Sequence, residues 1–288
     1  MKKVGSTTDT ADSNGEYTNG NVANGVPPTI INAEMLNTFQ RELVAVVEGA
    51  GITLDPANDA QVLAAINALV GSGRLLNVQI FHATAIYNKT PGTKNVIVEV
   101  QAAGGSGGNT GFSGASSVSL ATGGSGGGYA KSRLTAAQAD GKTVTVGSAG
   151  QPATGYPSTG NPGGDSSFGN LITCKGGNGG FGQDQATPPF TCTAVTGGDA
   201  TGGNIINIPG GSSAHGVSVS TTSNFVGNGG GSFLGEGGFG PANNNTPGSV
   251  GRGFGAGGGG AVGGPNNTAT GYKGAAGTDG IVIVWEYA

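Results

Sequence analysis

Few side chains in this chain are able to do chemistry, and their spacing decides what they can do. Ala136-Ala-Gln-Ala-Asp-Gly-Lys-Thr143 satisfies a loose phosphate-loop pattern. That motif holds phosphate only where a strand precedes it and a helix follows, so that helix N–H groups face the anion. Here Thr143-Val-Thr-Val146 follows and reads as a strand, with Asp140-Gly141 as a turn before it. Gly104-Gly-Ser-Gly-Gly108 spells G-x-S-x-G, and G-x-G-x-x-G recurs, but with 62 glycines in 288 residues both patterns arise by chance. A serine nucleophile also needs a base, and His82 and His215 are the only histidines. The first lies in strand-like sequence and the second in a polar stretch, so both read as structural or surface groups. The acids between residues 104 and 280 are Asp140, Asp165, Asp184, Asp199, Glu236 and Asp279. They show no spacing that suggests the carboxylate pair of a glycosidase. The reading is therefore of no enzyme, with no catalytic residue, no metal site and no cofactor.

Cys174 and Cys192 are the only cysteines, too few for a structural zinc site. Two readings stay open for them. One is a disulfide that staples residues 183–196 in a protein working outside cells. The other is a pair of free thiols, as assembly in a reducing compartment implies. The net charge is −4 and no basic stripe is present, which argues against a nucleic-acid partner. Aromatic residues are the remaining candidates for recognition. Phe168, Phe181 and Phe239 lie inside glycine-dense strings and are expected in the core. Tyr156, Phe190 and Tyr272 lie in polar stretches, where aromatic anchors commonly serve binding.

The elements that position these residues are organised by glycine. Nine of the 62 glycines precede residue 101, leaving 53 for the rest of the chain. Disorder is a poor account of the tract, because disordered chains are usually highly charged and apolar-poor. Only 10% of residues are charged, and apolar pieces recur at Asn204-Ile-Ile-Asn-Ile208 and Val217-Ser-Val-Ser220. Collagen needs glycine at every third position and more proline than the 13 present. Glycine loses more chain entropy on ordering than any other residue, so ordering many demands dense backbone bonding. Extended helices with three residues per turn have no internal hydrogen bonds and must bond laterally. The expected architecture is a mostly β and irregular fold: a stack of such polyglycine-type helices, bracketed by the strands Asn95-Val-Ile-Val-Glu-Val-Gln101 and Ile281-Val-Ile-Val-Trp-Glu-Tyr287.

Three parts are expected along the chain. Residues 1–29 are a polar, turn-rich segment with no apolar signal-peptide region after Lys2-Lys3, which reads as a protein made in the cytoplasm and not exported by this sequence. Residues 30–73 are a helical hairpin. Leu36, Phe39, Leu43, Val46 and Val47 give the first helix an apolar face, capped by Thr29 or Asn32 and ended by Gly49 and Gly51. Asp55-Pro56 starts the second, with Val62, Leu63, Ile66, Leu69 and Val70 as its face and Gly71-Ser-Gly73 as its stop. Residues 74–288 are the glycine-rich part. It opens with strands at 76–81 and 84–87 and has Ile281, Ile283, Trp285 and Tyr287 on one face of its last strand. Polar interludes at about 109–122, 151–162, 183–196, 212–226, 241–250 and 265–273 separate its glycine runs. Tyr156, Gln185, Phe190, Asn244 and Asn267 are named from four of these as representative binding contacts, since loops on a rigid scaffold carry recognition.

Two further sets of residues carry a resemblance. Asn19-Gly-Asn-Val-Ala-Asn-Gly-Val-Pro-Pro-Thr-Ile30, Ala33-Glu-Met-Leu-Asn37, Gln40-Arg-Glu-Leu43 and Ala50-Gly-Ile-Thr-Leu-Asp-Pro56 resemble the N-terminal region of phage and prophage tail-fibre proteins. Gly73-Arg-Leu-Leu-Asn-Val78, Pro91-Gly-Thr-Lys-Asn-Val-Ile-Val-Glu-Val100, Gly163-Gly-Asp-Ser-Ser-Phe-Gly169 and Asp279-Gly-Ile-Val-Ile-Val-Trp-Glu-Tyr287 resemble the glycine-rich tip domain of such fibres. The resemblance implies a virion component at the fibre tip, probing a bacterial outer-surface receptor, either an outer-membrane protein or a glycan. It also implies other tail or fibre proteins as partners, and a homotrimer, here expected through residues 30–73. No long shaft separates the two resembling regions. A purely structural fibre or baseplate component is the alternative.

Overall fold

The structure, a computed structural model, describes residues 2–71, 73–267 and 270–288. Met1, Ser72 in the expected helix stop, and Thr268 and Ala269 in the last interlude lie outside the described residues. Among the described residues the fold is mostly strand and irregular backbone with three α-helices, and it divides into two compact units, Met1–Arg74 and Leu75–Ala288.

In the first unit, helix α1 (Ala33–Gly49) is capped by Asn32, whose side chain accepts from the Met35 N–H at 3.0 Å. Residues 2–29 are not a detached arm. Asn32 Nδ2 donates to Thr7 O at 2.6 Å and the Ile30 N–H to Thr10 Oγ1 at 2.9 Å, tying the turns to the helix. Helix α2 (Gln61–Gly71) begins five residues later than Asp55-Pro56 suggests. Asp55 and Asn58 instead form successive turns, and Gln61 Nε2 donates to both Asp55 O and Asn58 O, closing them. α1 packs on α2, yet among the described residues of the two helices only Met35, Val47 and Ala65 are buried. Leu36, Phe39, Leu43, Leu63, Ile66, Leu69 and Val70 are all exposed.

The second unit begins with a sandwich of two antiparallel sheets. One runs Leu75–Phe81, Ile281–Tyr287, Asn95–Gln101, Tyr129–Thr135, Ile206–Ile208, so the two strands that bracket the tract are hydrogen-bonded neighbours over seven residue pairs. The other runs Ala200–Thr201, Ile172–Cys174, Ser166–Phe168, Thr143–Thr145, Ala85–Ile86, which places the second expected strand in the opposite sheet. Val96, Val98, Val100, Val282 and Val284 face Val144, Phe168, Ile172 and Cys174 in one core. The buried face of Ile281–Tyr287 is thus the one opposite to Ile281, Ile283, Trp285 and Tyr287, although Ile281 at its end is also covered. It carries Glu286, fully buried. Glu286 Oε1 accepts from Tyr87 Oη at 2.6 Å and the Thr90 N–H at 2.9 Å, and Oε2 from Thr90 Oγ1 at 2.6 Å. Burial alone raises a carboxyl's pKa, but the bonds from Thr90, Tyr87 and Gln79 outweigh it and hold Glu286 below the ordinary range.

Above the sandwich the glycine runs form the expected lateral stack. Residues 103, 106 and 109 donate their N–H groups to 164, 161 and 158. Residues 104, 107 and 110 donate to 278, 275 and 272, and 102, 105 and 108 to 128, 125 and 122. Three faces, each repeating every third residue and each antiparallel to its neighbour, define an extended three-residue helix with no internal bond. Segment 121–128 repeats the pattern, with 121, 124 and 127 donating to 261, 258 and 255. Glycine is required here by proximity: a Cβ on Gly104 would lie 2.0 Å from Ala256 O, and one on Gly179 1.8 Å from Gly160 O.

That packing corrects two expected core residues. Phe168 is buried in the sandwich, but Phe181 and Phe239 are exposed. Helices in backbone contact leave no room for a phenyl ring, so a ring in a glycine-dense string points outward. The cysteines are free and both buried. Cys174 Sγ meets Val100 O in the sandwich, while Cys192 Sγ meets Leu120 O and Gln183 Oε1. Burial pushes the thiols up to about 12 and about 11 respectively.

Candidate functional site

Because neighbouring segments run antiparallel, successive connections fall at alternate ends of the stack. One end is the sandwich. The other, reached at Thr110, Ala121, Ser158, Phe181, Ala261 and Tyr272, collects the connections 111–120, 152–158, 182–194, 215–225 and 241–247 and the described residues 262–267 and 270–271. These are the polar interludes of the sequence, all delivered to one face.

The connection 111–120 is the hub of that face, and small polar side chains fix its neighbours to it. Asn109, fully buried, donates from Nδ2 to Ala153 O, Gly155 O and Ser158 Oγ at 2.8, 2.9 and 3.0 Å. Thr110 Oγ1 accepts from the Tyr272 N–H at 2.8 Å. Ser119 Oγ accepts from the Gly111 N–H and donates to Gln183 O at 2.6 Å. The Ser113 N–H donates to Asn267 O, and its hydroxyl to Gly264 O. Below the hub lies a second small core of Leu120, Cys192, Val226 and Val262.

Four of the five residues expected to make contacts come together around the hub. Gln185 is exposed, but its Oε1 accepts from the Gly114 N–H and Ser117 Oγ, both at 2.8 Å. Asn244 is half-buried, accepting from Asn224 Nδ2 at 2.8 Å and donating to Thr221 O at 2.9 Å. Asn267 is buried, with Nδ2 unpartnered. Tyr156 is half-buried against Gly271, whose added Cβ would lie 2.5 Å from the ring. Phe190 stands apart, half-buried against the small core. Three of the five therefore lie in the footing of the loops more than in their tips. Phe112, Asn243 and Asn266 are exposed in these connections, as is Phe225 on the short strand Asn224–Phe225; Asn245 is exposed too, but its Oδ1 accepts from the Gly264 N–H at 2.9 Å. Phe112 and Phe225 each fall inside a polar interlude, the signal that marked Tyr156.

The face is close to neutral: Asp184 is the one Asp, Glu, Lys or Arg in its six connections. The residues with apparent catalytic spacing are placed otherwise. Ala136–Ala139 is a single helical turn with a Thr135–Gln138 capping box. A turn with Gly141 in the left-handed region and the strand Thr143–Thr145 follow, the reverse of a phosphate loop. His82 packs on Phe254 at the sandwich end, with ring centroids 5.7 Å apart. His215 Nδ1 meets Cys192 O and the Ala194 N–H at the opposite end. Among the described residues no cluster of His, Cys, Asp and Glu is placed to hold a metal ion.

A family model described as a glycine-rich domain matches residues 82–287, which takes in both bracketing strands, the stack and all six connections. No curated protein matches the chain.

Proposed function

The chain belongs to the glycine-rich domain family, and from that premise we propose that it is a non-catalytic adhesin at the tip of a phage or phage-like tail fibre. The observation that carries the proposal is the delivery of six connections, five of them without a charged residue, to one face of a scaffold held mostly by backbone bonds. Rigid stacks that present loops at one end suit recognition, since the loops gain contact area without reordering the scaffold. The direction of the reading, towards a bacterial surface, comes from the tail-fibre resemblance of the sequence. On this reading Tyr156, Phe112 and Phe225 supply aromatic anchors. Gln185, Asn244 and Asn267 hold the loop shapes, and Phe190 supports them from below.

Purified full-length protein should compete with particles for adsorption to susceptible cells. If it occupies no cell surface, the adhesin reading fails. If exchanging the loops leaves host range unchanged, the structural-component reading takes its place.

A further inference from the structure

We infer that the flank of the stack carries a second binding site, for an uncharged sugar. A groove of about 440 Å³ runs between segments 159–162, 178–181 and 194–196. Thr159, Pro162, Asn178, Phe181, Val195 and Thr196 line it, and none of its lining residues is charged. The volume is that of a small-molecule site.

Three features select the ligand. Phe181, 46% exposed, offers a ring to the groove where the surrounding glycine helices have none. Thr159 and Thr196 have hydroxyls with no intramolecular hydrogen bond, and Asn178 Oδ1 is free as well. Asn178 Nδ2 donates to Thr196 O at 2.9 Å, which fixes the direction of that free carbonyl. In the groove floor the N–H and C=O of Gly179 are also unpaired, although the residue is buried. Groove-lining backbone groups without protein partners are satisfied by water or by a ligand that displaces it.

A pyranose has an apolar face for the ring and hydroxyls that both donate and accept. Anionic ligands find no cation here. Another extended glycine-type segment is also a poor fit. Stack members approach within backbone contact, and the side chains around this groove hold a further backbone away. The inference stands on the groove and not on the distal loops. A Tyr156→Ala variant that loses attachment while keeping sugar binding leaves it intact.

The test is saturation-transfer NMR on the full chain with methyl glucoside, methyl galactoside, methyl mannoside and N-acetylglucosamine. N-acetylneuraminic acid serves as the charged comparison. At least one neutral sugar should show transfer that titrates, and the charged sugar none. Phe181→Ala should weaken the binding about tenfold, the order of one ring's contribution. Thr196→Val should weaken it by less, and Phe239→Ala, which removes an exposed ring elsewhere on the stack, should not change it. Each variant's fold is checked by the fluorescence of Trp285. Absence of transfer from all four neutral sugars overturns the inference, as does binding by Phe181→Ala equal to that of the parent.

Discussion

Replacing Gly258 by alanine tests whether the stack is held by backbone contact. A Cβ on Gly258 would lie 2.1 Å from Ala275 O and 2.5 Å from Ala276 O. Relief requires segments 255–261 and 272–278 to part by roughly 1 Å, enough to take a hydrogen bond out of range. Four bonds anchor the two segments there: Ala275 N–H to Gly259 O joins them, and Gly258 N–H to Gly105 O, Gly124 N–H to Gly258 O and Gly107 N–H to Ala275 O tie them to their other neighbours, so whichever segment shifts strains those bonds as well. At about 1 kcal/mol for each bond, with more for any group left unpaired, the loss is about 4 kcal/mol. For a unit of this size that is a fall of roughly 8–16 °C in Tm. Gly258→Val should add little, because the first side-chain carbon already makes the clash. The contrast is Gly155→Ala, in the same unit. There the new Cβ would meet Ser158 Cβ at 3.7 Å, an ordinary contact, and the backbone is not left-handed. Its effect should lie within about 0.5 kcal/mol, or be slightly stabilising through the unfolded state. Trp285, the single tryptophan, reports unfolding of this unit. If Gly258→Ala melts alongside Gly155→Ala, the stack is not packed as described.

The same fold sets four further outcomes. Glu286 has a folded-state pKa below the ordinary 4.5, so its stabilisation is complete above that pH and is lost as pH falls through the lower folded value. Glu286→Leu should cost about 3 kcal/mol by stranding Tyr87 and Thr90, and should flatten the urea midpoint between pH 5 and pH 3; an unaltered acid limb refutes the assignment. Cys174 and Cys192 should resist a thiol reagent in the native protein and react together on unfolding; rapid native labelling would contradict their burial. Tyr156→Ala should weaken attachment to cells with Tm nearly unchanged, whereas Phe190→Ala should also lower Tm because it leaves the small core open. The exposed apolar faces of α1 and α2 should be covered in a trimer, and light scattering at a monomer's 27.7 kDa would refute that.

The strands were legible because β-branched runs at Asn95–Gln101 and Ile281–Tyr287 are bounded by turn residues, and such runs fit a pleated, half-buried surface. The buried face of the last strand was not legible. Apolarity favours Ile283 and Trp285 as the inner pair. Glu286 is inside because Tyr87, Thr90 and Gln79, distant in sequence, supply its donors. The start of α2 failed for a local reason, since Asp55 and Asn58 side chains offered turns that competed with the cap. Phe181 and Phe239 failed for a general one. Aromatic rings mark a core when side chains fill it, and here the core of the stack is backbone. The five residues expected to make contacts were legible as loop residues, but which of them sit in the footing of the loops was not. That division depends on which loop each amide reaches, as Gln185 reaches Gly114 across a gap of 71 residues.

A scaffold of this kind separates two demands that compete in most proteins. In a side-chain core, a change in a loop that reaches inward disturbs packing. Here the stack is specified by the absence of side chains, at positions such as Gly104, Gly107 and Gly258, and most of its bonds run between main-chain atoms, with a few to hydroxyls such as those of Ser125 and Thr122. What a loop must keep is its footing: Asn109, Thr110, Ser113 and Ser119 bolt the hub to its neighbours through short polar side chains. Beyond that footing, length costs little entropy, and an exposed tip residue such as Phe112 makes no hydrogen bond to the stack. The tips are therefore free to change in length and chemistry while the stack stays as it is, a freedom a recognition surface needs and a catalytic site, with its fixed geometry, does not allow.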